Sequence, residues 1–195
     1  MPARLVRSRR EMEGVGGLII PGGESTTLLK LAKDFDLLGS IEDLHEAGVP
    51  ILGTCAGAIL LARRVTSPEQ PSLGLIDIEI ERNAWGRQKE SFETTVPFPG
   101  DAGWGGGAQE SMNLVFIRAP RIRSCGAGVK VLLRLGEEPI LVREGGVIAA
   151  TFHPEMSRDR RVHRLFCRDV MATGNGPLTG ATPGPPGLIG APGAL

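Results

Sequence analysis

Leu18-Ile19-Ile20-Pro21-Gly22-Gly23-Glu24-Ser25-Thr26-Thr27 opens the readable part of the chain. Three consecutive apolar residues without polar alternation predict a short strand buried on both faces, and Pro21-Gly22-Gly23 ends it at a turn. Behind the turn, Leu28, Leu29, Leu31 and Ala32 supply the apolar face of a helix, with Ser25 or Thr26 available as its N-cap. The unit recurs. Ile41 to Ala47 has helical spacing, Gly48 closes it, Val49-Pro50-Ile51-Leu52-Gly53 is a second short buried strand, and Ala58 to Ala62 starts the next helix. This alternation predicts an α/β domain with a mainly parallel sheet covered by helices on both faces.

Further along, Leu75 to Glu81 alternates apolar and charged residues as a half-exposed strand does, and Val129 to Leu135 and Ile140 to Val142 are compatible with more strands. Val147 to Phe152 reads as a last buried strand ending at His153-Pro154-Glu155. Arg161 to Met171 reads as a closing helix with Val162, Leu165, Phe166 and Val170 on one side. The domain is expected to span residues 1–173. Residues 174–195 are almost all Gly, Pro, Ala and Thr, too poor in apolar surface to offset ordering entropy, and read as a disordered tail. The Gly-rich stretch from Pro97 to Gln109 reads as a surface loop.

At 195 residues and 41% hydrophobic content the chain can close one core of ordinary size. Lys+Arg and Asp+Glu both total 22, for a formal net charge of +0, so no long-range field recruits nucleic acid or an acidic membrane. Three cysteines, Cys55, Cys125 and Cys167, are odd in number and widely spaced, which suits neither a disulfide framework nor a zinc ribbon and fits a reducing compartment. Met1 to Met12 carries arginines with no apolar stretch behind them, unlike a secretory signal, and no run approaches a bilayer span. A soluble, cytoplasmic protein is expected, and nothing calls for a metal or a cofactor.

Gly53-Thr54-Cys55-Ala56-Gly57 sets a cysteine at a sharp strand-to-helix turn between glycines, the device that presents the serine of hydrolase elbows. The start of the following helix brings backbone N–H groups and a positive dipole end to the sulfur, favouring thiolate. An acyl nucleophile also needs a proton carrier, and of three histidines only His153 stands at the end of a predicted buried strand. In parallel-sheet folds such strand ends line the site, so Cys55 and His153 can meet there. Pro154 biases His153 toward extended backbone, and Glu155 is placed to accept the imidazole N–H. The Gly22-Gly23 loop can donate N–H groups to an oxyanion, with Gly23 and Ala56 as the candidates. Glu24 is read either as a group that holds a substrate ammonium or as a first-turn carboxylate favouring the helix dipole.

Taken together, residues 21–27, 53–57, Glu-Arg-Asn-Ala-Trp-Gly-Arg-Gln at 81–88, Phe-Ile-Arg-Ala-Pro at 116–120 and Phe-His-Pro-Glu at 152–155 resemble the glutaminase subunits of pyridoxal 5′-phosphate synthases, within the class I glutamine amidotransferases. The resemblance runs from about residue 15 to 171. It implies a flavodoxin-like three-layer sandwich without metal or cofactor, in which Cys55 attacks the amide of L-glutamine, His153 protonates the departing ammonia and Glu155 orients His153. It further implies that Gly23, Glu24 and Ser25 bind glutamine, with Arg82, Ile117 and Arg118 completing the pocket. Ammonia would pass to the lyase subunit of a hetero-oligomeric synthase.

The family begins one strand and one helix earlier, and Met1 to Gly14 does not match that element, so the sheet is expected to lack it. Trp85 stands where the family motif has a smaller aromatic residue. Cys125 and Cys167 read as structural, and His45 and His163 as solvated on helices. Arg158, Arg160, Arg161, Arg164 and Arg168 read as a solvated helix face or a docking site. The rival functions are a glutaminase serving another acceptor synthase and a non-catalytic scaffold.

Overall fold

The computed structural model describes residues 2–84, 91–98 and 111–174. Its centre is a five-stranded sheet in the order β1 (Leu18–Ile20), β2 (Ile51–Thr54), β10 (Val147–Ala150), β9 (Glu138–Glu144), β8 (Lys130–Leu135). The first three are parallel, with Leu18 beside Ile51 and Val147 on the other side of Ile51; β9 and β8 extend the sheet antiparallel. No strand precedes β1 among the described residues, only the short helix α1 (Arg9–Met12), and β1 forms an edge of the sheet.

Because side chains alternate across a strand, the continuous apolar runs feed two cores. Ile51, Val147 and Ala149 face one side, where they pack with Leu29, Ile41, Ile59 and Leu60 from α2 (Ser25–Asp34), α3 (Leu37–Glu46) and α4 (Ala56–Leu61). Leu52, Ile148 and Ala150 face the other, against Val162, Leu165, Phe166 and Val170 of α5 (Arg161–Ala172). Three layers result. At Gly17 the approach is so close that a Cβ would overlap Val170 and stand 2.9 Å from Phe166, which is how α5 comes to lie across the start of β1.

Two smaller sheets flank the centre. β3 (Ala62–Thr66), β4 (Ile76–Glu81) and β7 (Arg121–Cys125) form one, whose Val65, Ile76, Ile78, Ile80 and Ile122 join the first core. β5 (Ser91–Pro97) and β6 (Ser111–Ile117) pair antiparallel as the other and bury Val96, Met112, Leu114 and Phe116 in the second.

The structure corrects several sequence expectations. Helix α4 runs from Ala56 to Leu61 and Ala62 already belongs to β3, because the chain turns extended to pair with β4. The α2 cap is Glu24 rather than Ser25 or Thr26. Arg161 is not solvated but 4% exposed, since its guanidinium bonds Asp159 and covers the Phe98 ring at 4.1 Å. The expected loop from 97 lies outside the described residues beyond Phe98 and up to 110, as do Trp85 through Gln88 and the tail from 175.

Candidate active site

Cys55 sits where β2 meets α4, with φ 49° and ψ −104°, a conformation that a side-chain-bearing residue adopts only when its surroundings enforce it. The enforcement is visible. Its N–H bonds the Ala150 carbonyl at 2.8 Å, tying the turn to β10, and a Cβ on Gly57 would overlap the Ile20 carbonyl. Only glycine lets α4 press this close to β1. The Cys55 thiol is buried and lies 3.8 Å from the Ile117 carbonyl, toward which it donates.

His153 leaves the end of the β10 segment with its N–H on the Val115 carbonyl at 2.8 Å. Its Nδ1 donates to Glu155 Oε1 at 2.7 Å, made possible by the single 3-10 turn Pro154–Met156 that follows it. The remaining nitrogen, Nε2, is buried and makes no hydrogen bond of ordinary length among the described residues. The Cys55 sulfur, first, and the Glu155 carboxylate, second, push the ring's pKa up to about 10 against the opposing effect of burial. Burial opposes ionisation of Glu155, but the His153 bond and the charges of His153 and His163 outweigh it and hold the carboxyl below its ordinary value. The geometry therefore favours an imidazolium beside the sulfur, with a carboxylate behind it.

The β1–α2 loop covers this pair. A Cβ on Gly22 would overlap His153 Cε1, 3.0 Å from Nδ1 and 3.3 Å from Cys55 Cβ, so Gly22 is in direct contact with both. Gly23, at φ +147°, faces open space. Nothing in the sequence separates the roles of these two glycines, and Gly22 was not among the expected site residues. Glu24 closes the loop as the α2 N-cap: Oε1 accepts from Thr26 N–H at 3.0 Å and from its hydroxyl, and Oε2 accepts from Thr27 N–H at 2.7 Å and from its hydroxyl. These bonds, led by the Thr26 hydroxyl, bring its pKa down to about 2.

Of the other expected residues, Ala56 is fully buried at the first position of α4. Arg82 reaches Glu24 Oε1 at 3.5 Å and Thr26 Oγ1 at 3.3 Å, which ties it to the loop. Ile117 meets Cys55 through its carbonyl, and Arg118 is exposed with φ 46°. Ser25 is buried. Cys125 and Cys167 are half-buried and unpaired. Arg158, Arg160, Arg164 and Arg168 are exposed. Among the described residues no group of three or more His, Cys, Asp or Glu could hold a metal, and no helix is long and apolar enough to cross a membrane.

Residues 1–172 match the SNO glutamine amidotransferase family. This chain belongs to that family. Two curated relatives carry the name pyridoxal 5′-phosphate synthase subunit PdxT. The one from Pelotomaculum thermopropionicum is 46% identical over 87% of this chain and 83% of its own length. The one from Thermus thermophilus is 49% identical over 84% and 83%. A crystal structure described as a glutamine amidotransferase superposes with a TM-score of 0.78 at 45% identity, covering 88% of this chain and 87% of that one. The fold is thus the flavodoxin-like α/β sandwich that the family resemblance implied.

Proposed function

We propose that this amidotransferase is the glutaminase subunit of a pyridoxal 5′-phosphate synthase, releasing ammonia from L-glutamine for a lyase subunit that docks with it in the cytoplasm. Residues 1–173 are its catalytic domain and 174–195 a tail outside it. The observation that carries the chemistry is Cys55 on a strained elbow beside an imidazole whose Nδ1 is 2.7 Å from Glu155.

In the reaction, the Cys55 sulfur adds to the side-chain carbonyl of glutamine, and the oxygen takes the negative charge. Main-chain N–H groups of Gly23 and Ala56 stabilise that oxyanion. As the C–N bond breaks, His153 gives its proton to the nitrogen, which leaves as ammonia, and a γ-glutamyl thioester remains on Cys55. Water then attacks the thioester with His153 as base, glutamate departs and the thiol is restored. Glu155 stabilises the imidazolium throughout. The substrate's α-amino and α-carboxyl groups are held by the loop at Gly23, Glu24 and Ser25 together with Arg82, Ile117 and Arg118. Since the Glu24 oxygens already cap α2, an ammonium group binds it from its solvent side.

The test is glutamate release with and without the lyase subunit. Turnover rising on its addition, lost in Cys55→Ala and retained in Cys125→Ala, supports the reading. Absence of Cys55-dependent labelling by a glutamine-mimicking electrophile in the complex would favour a non-catalytic scaffold, and capture of a different synthase would redirect the ammonia to another acceptor.

A further inference from the structure

Gln70 lies in the loop between β3 and β4, outside every motif described above, and is only 9% exposed. Its Oε1 accepts from the Ser25 hydroxyl at 3.0 Å, and its Nε2 donates to the Ser25 carbonyl at 3.4 Å. Both residues are buried, so each supplies the hydrogen bonding that water would otherwise give the other.

The bond reaches across 45 residues to a buried point at the end of the β1–α2 loop. Pro21, Gly22 and Gly23 offer no side chain that can hydrogen-bond, and Gly23 is in open space. Ser25 is the first residue after them with a buried polar side chain. Neighbouring ties strengthen the grip. Arg82 bonds Glu24 and Thr26, its N–H bonds the Thr66 carbonyl at 2.9 Å, and Asn83 reaches the Ser67 carbonyl at 3.5 Å. The β3–β4 loop and the residues after β4 thus hold Glu24, Ser25 and Thr26 from one side, while Gly22 rests on His153 and Cys55 from the other.

We infer that Gln70 is a positioning residue: by engaging the hydroxyl and carbonyl of Ser25 it fixes the Gly22-Gly23 backbone over the Cys55–His153 pair. Its catalytic consequence rests on the glutaminase reading above. A glycine pair has the largest conformational freedom of any dipeptide, and a donor aimed at a developing oxyanion accelerates the reaction only when its direction is set beforehand. The same bonds commit the Ser25 hydroxyl to the protein interior, so what Ser25 offers a ligand is its main-chain N–H.

The experiment uses the full chain with its lyase subunit and two variants. Gln70→Leu keeps the volume and removes both bonds; Gln70→Glu keeps an acceptor for the Ser25 hydroxyl and loses the donor to the carbonyl. One readout is amide hydrogen exchange at Thr26, Thr27 and Leu28, whose N–H groups all bond Glu24, with Ile51 to Thr54 as the internal control. The other is glutaminase kinetics beside iodoacetamide alkylation of Cys55, which needs the thiol but no oxyanion donor. Losing the partners of a buried hydroxyl predicts, for Gln70→Leu, exchange faster by about tenfold at the three amides and kcat lower by about tenfold. KM is expected to rise as well, because Gly23, Glu24 and Ser25 hold the substrate in the reading above, while the alkylation rate stays within about twofold of wild type, with partial recovery of the exchange and kcat effects in Gln70→Glu. Should Gln70→Leu not fold, Gln70→Glu alone decides, with smaller shifts in the same direction.

Unchanged exchange at the three amides overturns the assignment, and so does faster exchange with unaltered kcat, or an alkylation rate that falls along with kcat. A wild-type complex that releases no glutamate sinks the glutaminase reading instead, and exchange at Thr26 to Leu28 then decides the Gln70 assignment by itself.

Discussion

Gly22→Ala is the substitution on which the site geometry makes its sharpest demand. The added methyl would fall inside the van der Waals envelope of His153 Cε1 while standing 3.0 Å from Nδ1 and 3.3 Å from Cys55 Cβ. Restoring an ordinary carbon–carbon separation of roughly 3.5 Å requires the ring or the loop to withdraw by about 1 Å. The ring is confined: its N–H is bonded to Val115, its Nδ1 to Glu155, and its side chain is 11% exposed. A displacement of about 1 Å at a reacting group lowers turnover by about 100-fold, and the crowding destabilises the fold by about 1–3 kcal/mol. The assay is kcat for glutamate release in the presence of the lyase subunit, paired with a thermal melt. A variant with kcat within about threefold of wild type and an unshifted Tm would refute the packing of Gly22 against the Cys55–His153 pair.

Three more perturbations test other parts of the structure. Gly57→Ala places a methyl against the Ile20 carbonyl, which is backbone and cannot step aside; the expected result is loss of soluble, cooperatively melting protein rather than loss of kcat alone. Arg161→Ala leaves the half-buried Asp159 carboxylate with the main-chain N–H of residue 161 but without its cation, and removes the cover from Phe98, so denaturant unfolding is expected to register a loss of about 1–3 kcal/mol. For His153, the raised pKa means that its contribution to stability is complete below about pH 6.5 and is lost as pH rises through about 10. The Tm gap between wild type and His153→Asn is therefore expected to shrink between these limits, and a gap that widens would contradict the sign.

The central part of this fold was legible because β1, β2 and β10 are written as unbroken apolar runs ending in Gly, Pro or a reactive residue; β2 and β10 are buried on both faces, whereas β1, at the sheet edge, buries Leu18 and Ile20 and leaves Ile19 exposed, contrary to the expectation for that strand. Among the flanking strands β4 was legible as the alternating run from Leu75 to Glu81, but β3 and β5 were not. β3 carries Arg63 and Arg64 facing solvent, and β5 exposes Ser91, Glu93, Thr95 and Pro97. Neither has a local signature, since their pairing is decided by partners elsewhere in the chain. The Cys55 elbow and the His153-Pro154-Glu155 turn were readable for another local reason: unusual backbone needs particular residues at adjacent positions.

What sequence alone determined, then, is the alternation of strand, turn and helix and the identity of the groups at the strand ends, because these are properties of neighbours along the chain. Only tertiary structure could decide that Gly22 rather than Gly23 touches the imidazole, that Glu24 rather than Ser25 caps α2, that Arg161 is buried, and that Gln70 holds Ser25. Each depends on which distant surface arrives to occupy the space beside a residue, and the free energy of a buried polar group is set by that arrival rather than by its own position in the chain.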